Sequence, residues 1–236
     1  MIVDVAKKPK SKIVVLKPQT DRLQVEEIIN KKKTKAFRRF LKTPEPHEVH
    51  VHSINLLYEP LMILSGKYSA DFFRKALHEV RVDQNVKELV FEDGIFSASN
   101  FSISPRIGRK IRKNSVPINL EEHVFVEKET EIILDHHGEE RNFSYKVNTK
   151  DVEHYPKRTL NKNTVRDFEI TEEAAIKKLA KELQTHEQFD DVRDLDEHLK
   201  VDEIVIIYVP IYEARLIGPR KKVEILRYDA VKKELL

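Results

Sequence analysis

Two stretches of the chain, separated by 150 positions, carry the same strand-forming pattern. Residues 51–62 are VHSINLLYEPLM and residues 201–212 are VDEIVIIYVPIY, so Val, Ile, Tyr and Pro recur in register. The segments RVDQNVKEL, from Arg81, and RYDAVKKEL, from Arg227, also coincide at several positions. A repeated pattern marks a repeated supersecondary unit, and in each copy a helix is followed by a pair of strands. We therefore expect an α+β fold that contains two related helix-plus-β-hairpin units, a pseudo-repeat, with a β-rich segment between them.

The boundaries of these parts follow from changes in composition along the 236 residues. A basic arm is expected at residues 1–17, repeat unit one at 18–94, a β-rich connecting segment at 95–158 and repeat unit two at 159–236. A chain of this length is sufficient for one large domain or two small ones. Whether the two repeat units share one core, and in which order their strands pair, is left open by the sequence.

The helices of both units have start signals. Residues 22–41 are expected to form the first helix, which Thr20 or Asp21 can cap and which prolines at 44 and 46 end. Thr171 caps the second helix, in which two glutamates at 172 and 173 are favourably placed at the positive end of the helix dipole. Its apolar residues have the spacing i, i+3, i+4, i+7, beginning at Ile176.

The strand signals are less regular. Residues 48–64 and 86–91 are predicted strands, whereas residues 68–80 fit either a short helix or a strand. In the connecting segment, strands are expected at 124–126, 131–134 and 142–147. Gly138 lies between the last two, where it predicts a hairpin turn.

Composition limits the class of protein. With no cysteine, the chain has no disulfide, no thiolate zinc ligand and no cysteine nucleophile. The chain contains no run of about 18 apolar residues, so no membrane span is expected. The first residues lack the apolar core of a signal peptide. We therefore expect a cytoplasmic protein. Dense Lys and Glu favour a thermophilic source, and the apolar strand at residues 204–207 makes edge pairing into a homodimer plausible.

Charge is segregated although the net charge is only +3. Residues 1–42 contain thirteen Lys or Arg and four Asp or Glu, a net charge of +9, and residues 97–120 contain five bases and no acid. Residues 121–153 have a net charge of −6 and residues 182–203 a net charge of −7. Such segregation creates a polarised surface field if the basic parts converge in the fold.

The basic segments have the composition of a phosphate-contacting surface. Zinc-finger, homeodomain and aromatic RNA-binding motifs are missing, so backbone or shape recognition of RNA, or of a ribonucleoprotein such as the ribosome, is the leading hypothesis. The alternative is that these lysines form an ordinary solvated helix face. The predicted nucleic-acid contacts are Lys31, Lys32, Lys33, Lys35, Arg38, Arg39, Arg106, Arg109, Lys110, Arg112 and Lys113.

Other candidate residues have structural explanations. His50 and His52 share a strand face, and His136-His137 precede a turn, but a metal site needs three or four converging ligands. No metal and no cofactor is therefore predicted. Tyr58 and Tyr208 either form a binding platform or pack at a sheet edge, and packing is favoured. Without a Gly-rich phosphate loop or a nucleophile elbow, we predict no catalytic residues and no enzyme activity.

The second unit resembles PepSY-type modules. In that family a helix beginning Glu-Glu-Ala precedes a tyrosine-bearing strand and a strand that ends in Asp-Ala. Here these are Glu172-Glu173-Ala174, Tyr208 and Asp229-Ala230. The turn departs from the family, because Val-Lys-Lys follows where Thr-Gly is usual. The resemblance implies a protein-binding or inhibitory module, which would use the acidic segment 187–203 or the Tyr-Pro strands to contact a protein partner.

Overall fold

The computed structural model describes residues 9–38, 43–83, 85–91, 94–97, 99–101, 113–184 and 192–236. Its helices are α1 (Arg22–Lys32), α2 (Pro156–Lys162) and α3 (Glu172–Gln184), with short 3-10 helices at Lys33–Phe37, Pro46–Glu48 and Thr149–Asp151 and a left-handed turn at Pro219–Lys221. Its strands are β1 (Lys12–Val15), β2 (His50–Val82), β3 (Glu88–Phe91), β4 (Gly94–Ser97), β5 (Ser99–Phe101), β6 (Lys113–Leu134), β7 (Thr164–Val165), β8 (Val192–Ile217), β9 (Val223–Asp229) and β10 (Glu234–Leu235). This mixture of helices and a large sheet confirms the α+β class; the pseudo-repeat stays a prediction.

Helix α1 is shorter than expected. A capping box starts it: the Asp21 carboxylate accepts a hydrogen bond from the Gln24 backbone N at 2.9 Å, and the Gln24 side chain accepts one from the Asp21 backbone N at 3.3 Å. The helix ends at Lys32, and the chain continues as a 3-10 helix to Phe37. The expected helix was therefore wrong in type at Lys33–Phe37, because burial of Phe37 outweighs the α-helical propensity of the lysines. Residues 39–41 of the expected helix lie outside the described part of the chain.

Strand β2 is the longest element. It runs from His50 to Val82, and every even-numbered residue from Tyr58 to Phe72 is buried. This period of two continues as far as Phe72, into the segment that fitted either helix or strand, and burial of Tyr68 and Phe72 explains why a strand forms there.

The turn at Gly138 is confirmed, but its expected return strand is not. Gly138 has a φ of +82°, and its backbone N donates to the Asp135 carbonyl at 2.9 Å. Strand β6 reaches this turn as one continuous strand. After it, a single bridge joins Leu134 to Glu140, and residues 142–147 form no strand because Phe143 and Tyr145 pack onto the core instead.

Within the described residues, eight strands form one sheet with the order β10-β9-β8-β2-β6-β5, while β1 pairs with β8 and β7 pairs with β2. Strands β8 and β9 are antiparallel, whereas β1 is parallel to β8 and β7 is parallel to β2. Strands β3 and β4 form a separate antiparallel hairpin. The expected strand at residues 86–91 is confirmed as β3.

The chain divides into two compact units, which are not continuous in sequence. The large unit comprises residues 4–67, 129–185 and 199–236. One of its apolar clusters packs α1 and Phe37 against Tyr212, Ala214 and Leu216, and another surrounds Ile207, Val209 and Ile211. These alternate residues of β8 point to opposite faces of the strand, so the sheet of the large unit is covered by apolar contacts on both faces.

The small unit comprises the described residues within 68–128 and 192–198. Ion pairs connect its strands: Arg193 forms a bidentate pair with Glu121 at 2.7 and 2.8 Å, and Arg74 contacts Glu122 at 2.7 Å. The Arg193 guanidinium also lies 4.3 Å from the centre of the Phe73 ring. Much of the acidic charge of this unit is thus used within the unit itself.

Helix α3 matches its predicted start. The Thr171 hydroxyl accepts a hydrogen bond from the Ala174 backbone N at 3.2 Å, which confirms the predicted cap. Leu179 and Leu183 are buried as expected. A β-carbon added at Gly66 would lie 2.8 Å from the Lys200 carbonyl oxygen and 3.0 Å from a Leu179 methyl, so a larger residue there would separate strand and helix. None of the helices in the described part of the chain is long and apolar enough to cross a membrane.

Candidate nucleic-acid interface

The cations at the end of α1 lie on the solvent side of this segment because its apolar residues pack on the other side. Val25, Ile29 and Phe37 are 0%, 0% and 8% exposed, and they hold one side of the segment on the sheet. Lys31, Lys32, Lys35 and Arg38 are exposed, and Lys33 is half-buried. Since lysines at a helix C-terminus also interact favourably with the helix dipole, their presence there has a structural benefit besides any role in binding.

A second basic segment lies beside the first. The turn Pro219–Lys221 joins β8 to β9, and Gly218 before it contacts the Phe37 ring: an added β-carbon would lie 2.5 Å from a ring carbon. The Lys222 ammonium lies 5.9 Å from the centre of the same ring. We define the basic face by its eight residues, which are Lys31, Lys32, Lys33, Lys35, Arg38, Arg220, Lys221 and Lys222.

Sequence reasoning missed the contribution of the turn. The signal was present, because Gly218-Pro219 between two apolar strands is followed by three consecutive bases. What the sequence did not show is the long-range contact between Phe37 and Gly218, which brings the two basic segments together.

The turn holds two basic residues in an unfavourable backbone conformation. Arg220 has φ 58° and ψ 27°, and Lys221 has φ 62°. These are the central positions of a turn closed by a hydrogen bond from the Lys222 N to the Pro219 carbonyl oxygen at 3.2 Å. Left-handed conformations at both positions are typical of type I′ turns, in which Asn-Gly is preferred over bulky side chains. The choice of arginine and lysine therefore costs stability.

Charges in the acidic and basic parts differ in how they are paired. Within the described residues, none of the five cations of the basic face that precede β2 forms an ion pair with an acid, whereas Lys222 is paired with Glu224. In the acidic strand segment from residue 192, Asp196 pairs with His198 at 3.2 Å, and Glu197 accepts a hydrogen bond from the Tyr68 hydroxyl at 2.8 Å. The basic face thus retains charge for a partner, while acids of that segment are already engaged.

The remaining predicted contacts lie elsewhere. Arg39, Arg106, Arg109, Lys110 and Arg112 fall outside the described residues. Lys113 is described only as the first residue of β6. The convergence of this loop with the first basic segment stays a prediction.

A cluster of ion pairs on the sheet of the large unit is the strongest candidate for catalytic chemistry. Glu59, whose side chain is 14% exposed, pairs with Arg166 at 2.8 Å and also with Arg227. The Arg166 guanidinium contacts Glu213 at 3.3 Å as well, and it lies 3.4 Å from the His136 Nε2. Each carboxylate is neutralised by an arginine, so this arrangement fits a structural network better than a general acid or base.

The Tyr and Asp residues of the repeated pattern have structural roles here. Tyr58 is 2% exposed, and burial raises the pKa of its hydroxyl to about 12. Asp229 is fully buried: one oxygen accepts from the backbone N atoms of Val231 and Lys232, at 2.8 and 2.9 Å, and the other accepts from the Tyr145 hydroxyl at 2.6 Å. Asp229 thus caps the final turn, and Arg227 pairs across the sheet with Glu59.

Of the histidines singled out in the sequence, the second pair has ligand-like neighbours. His50 and His52 are exposed on β2. In the described residues, the group with metal-ligand spacing consists of His136, His137 and Glu169, and one ligand atom from each lies within 4.8 Å of the others. A ligand from a distant segment, Glu169, completes this group, which explains why the sequence alone did not reveal it.

No protein-family model, characterised protein or solved structure matches the chain. The resemblance to PepSY-type modules stays a prediction, and a functional hypothesis has to come from the geometry.

Proposed function

We propose that this is a non-catalytic binding protein that associates with RNA, or with a ribonucleoprotein such as the ribosome, through the basic face. The observation that carries the proposal is the clustering of eight exposed or half-buried cations on α1, the 3-10 helix after it and the turn Pro219–Lys221. Seven of these cations, all except Lys222, have no acidic partner among the described residues.

Electrostatics would dominate this binding. Each lysine or arginine that neutralises a phosphate releases condensed counterions, which makes affinity fall steeply with salt concentration. In the described part of the basic face no aromatic side chain is exposed between the charges, since Phe37 is buried, so the face fits recognition of the phosphate backbone and not of base edges. A ribosomal or other cytoplasmic RNA surface offers the phosphate density that such a face requires.

The direct test compares the wild type with a variant in which Lys31, Lys32, Lys33, Lys35 and Arg38 are changed to Gln. Fluorescence anisotropy would be measured with labelled single-stranded and hairpin RNAs at several salt concentrations. Each phosphate contact makes the slope of log K against log salt steeper by about 0.7. The slope of the variant should therefore be smaller in magnitude than that of the wild type by about 2 to 4. Its affinity at low salt should fall at least about tenfold.

A matched control removes the same charge from other exposed positions of the large unit. It changes five bases to Gln, none of which belongs to the basic face: Lys146, Lys157, Arg158, Lys162 and Lys177. This control should keep a slope close to that of the wild type. Equal losses in both variants would mean that binding follows net charge alone, and undiminished binding of the first variant would contradict the proposal.

A protein partner is the alternative to RNA, and isolation of complexes from a lysate would detect it. The small unit exposes apolar side chains on the β3–β4 hairpin, where Val90 and Ile95 are 71% and 68% exposed. A complex isolated from lysate that resists both high salt and ribonuclease would favour the PepSY-like binding module over the RNA-binding function.

A further inference from the structure

The turn after β6 holds two adjacent histidines in a fixed backbone conformation. The Asp135 carboxylate accepts hydrogen bonds from the backbone N atoms of His137 and Glu139, both at 3.0 Å, and Arg141 holds its other oxygen at 2.9 Å. Burial acts to raise the pKa of Asp135, but these contacts lower it below its usual value. The turn is therefore determined by a charged cap that stays ionised at neutral pH.

Glu169 reaches the same place from the segment before α3. Its backbone N donates to the His136 carbonyl oxygen at 2.8 Å, and its Oε2 lies 2.9 Å from the His137 Nδ1. The two imidazole rings lie 3.9 Å apart between centroids. Two independent contacts thus place the carboxylate beside both histidines.

The geometry points to a site for a divalent transition-metal ion, zinc above all, bound by His136, His137 and Glu169. Two imidazole nitrogens and one carboxylate oxygen form a ligand set that zinc accepts, and they leave a coordination position for water. Ligand atoms in tetrahedral zinc sites lie about 3.3 Å apart, as follows from metal–ligand distances of about 2.0–2.1 Å. The His137 and Glu169 side chains are 49% and 65% exposed, so they can rotate to close the remaining distance.

The two histidines differ in their surroundings. Burial lowers the pKa of His136, although Glu59 opposes the effect. The hydrogen bond to Glu169 raises the pKa of His137. The Arg166 guanidinium lies near His136 and would repel a bound dication. Its ion pairs with Glu59 and Glu213 offset this positive charge.

A bound ion would join the turn after β6 to the segment that precedes α3. The two segments are separated by about thirty residues in the chain, and such a metal clip stabilises the folded state because it binds that state alone. This role does not depend on the proposed association with RNA.

The test is titration of the full chain, freed of metal by a chelator, with Zn²⁺ in a calorimeter and with Co²⁺ in a spectrophotometer. One ion per chain should bind. His136→Ala and His137→Ala should each weaken affinity by more than about tenfold, the lower limit for loss of an outer-shell partner. Glu169→Gln should also weaken binding. Because substitution of the buried His136 also removes core packing, the decisive variants are the other two, which lie at exposed positions.

The matched control is His198→Ala. His198 also pairs with a carboxylate, that of Asp196 at 3.2 Å, but no third ligand joins this pair among the described residues. Its loss should leave Zn²⁺ affinity unchanged. A wild-type dissociation constant weaker than about 1 mM, or equal affinity of the wild type and the His137→Ala variant, would overturn the proposal and leave only a His–Glu ion pair.

Discussion

Neighbouring residues of this chain experience opposite electrostatic environments. His136 is 7% exposed and is packed near Glu59, Asp135 and Arg166, whereas His137 is half exposed and hydrogen-bonded to Glu169. A neutral imidazole is favoured at the first position and a charged one at the second. Their titration is therefore a sensitive measure of the local structure.

In the metal-free protein, NMR titration of the two imidazole Cε1–H resonances should give a pKa below 6.5 for His136 and one above 6.5 for His137. As the pH falls below 6.5, His136 lowers the free energy of unfolding, because its imidazole binds a proton more readily in the unfolded chain than in the folded one. His137 contributes stability below 6.5 that is lost as pH rises through its folded-state pKa.

Glu169→Gln provides the control for this titration. It should lower the pKa of His137 towards the ordinary value and leave His136 largely unchanged, since burial is the largest cause there. Two histidines with the same pKa would contradict the described contacts.

The sequence predicted some residue roles because their partners are close in the chain. Thr171 caps a helix that begins at the next residue, so a short-range pattern was sufficient. Glu169 beside His137 and Phe37 beside Gly218 are contacts between distant segments, and no local pattern specifies them.

At the scale of elements, the turn between β8 and β9 carries a conflict between stability and charge. Changing Arg220-Lys221 to Asn-Gly should raise the free energy of unfolding by about 1–2 kcal/mol, because these residues suit the type I′ conformation. The same change should weaken RNA binding, because it removes two cations of the basic face. Urea unfolding and RNA anisotropy would measure the two effects.

Arg220→Gln with Lys221→Gln separates the two contributions. This variant loses the same charge but keeps side chains in left-handed backbone, so RNA binding should fall without a gain in stability. If its RNA affinity equalled that of the wild type, the turn would not belong to the binding surface. If the two variants had equal stability, the backbone would not be strained.

Element types were predictable where one period dominates. The helical spacing of α3 was unambiguous, but residues 68–80 contain Ala70, Phe73 and Leu77 at helical spacing together with an alternating pattern. Pairing within the sheet decided in favour of the strand. Likewise Phe37, by packing against the sheet, determined where the α-helix gives way to a 3-10 helix.

For the whole molecule, pairing of β1 with the central part of β8 is a large contribution to stability. Val15 and Leu16 are 0% and 1% exposed, and the Leu16 backbone N donates to the Tyr208 carbonyl oxygen at 2.9 Å. Deletion of residues 1–16 should therefore cost at least about 3–6 kcal/mol from the two side chains alone. The midpoint and slope of urea unfolding would measure the loss.

A chain beginning at Lys10 is the control, because it lacks the first nine residues but keeps the whole of β1. It should unfold at a higher urea concentration than the chain without residues 1–16. Unchanged stability after the longer deletion would show that β1 is dispensable.

The α+β class was predictable from the sequence because it needs only the types of the elements. The pairing order was not, since the apolar pattern of residues 13–16 fits any exposed strand edge equally well. The division into compact units was also inaccessible, because β2 and β8 each contribute residues to both units.

The parallel pairing of β1 with β8 also has a consequence during synthesis. Lys12 pairs with Val205, so 193 residues separate the two partners. A ribosome that adds about 5–20 residues per second needs roughly 10–40 s to extend the chain from one to the other. Throughout that interval the nascent β1 segment has apolar side chains and backbone groups without their native partner. Pairing of β1 therefore waits until the partner residues of β8 have been synthesised, and protection of this segment by a chaperone would be most useful during that delay.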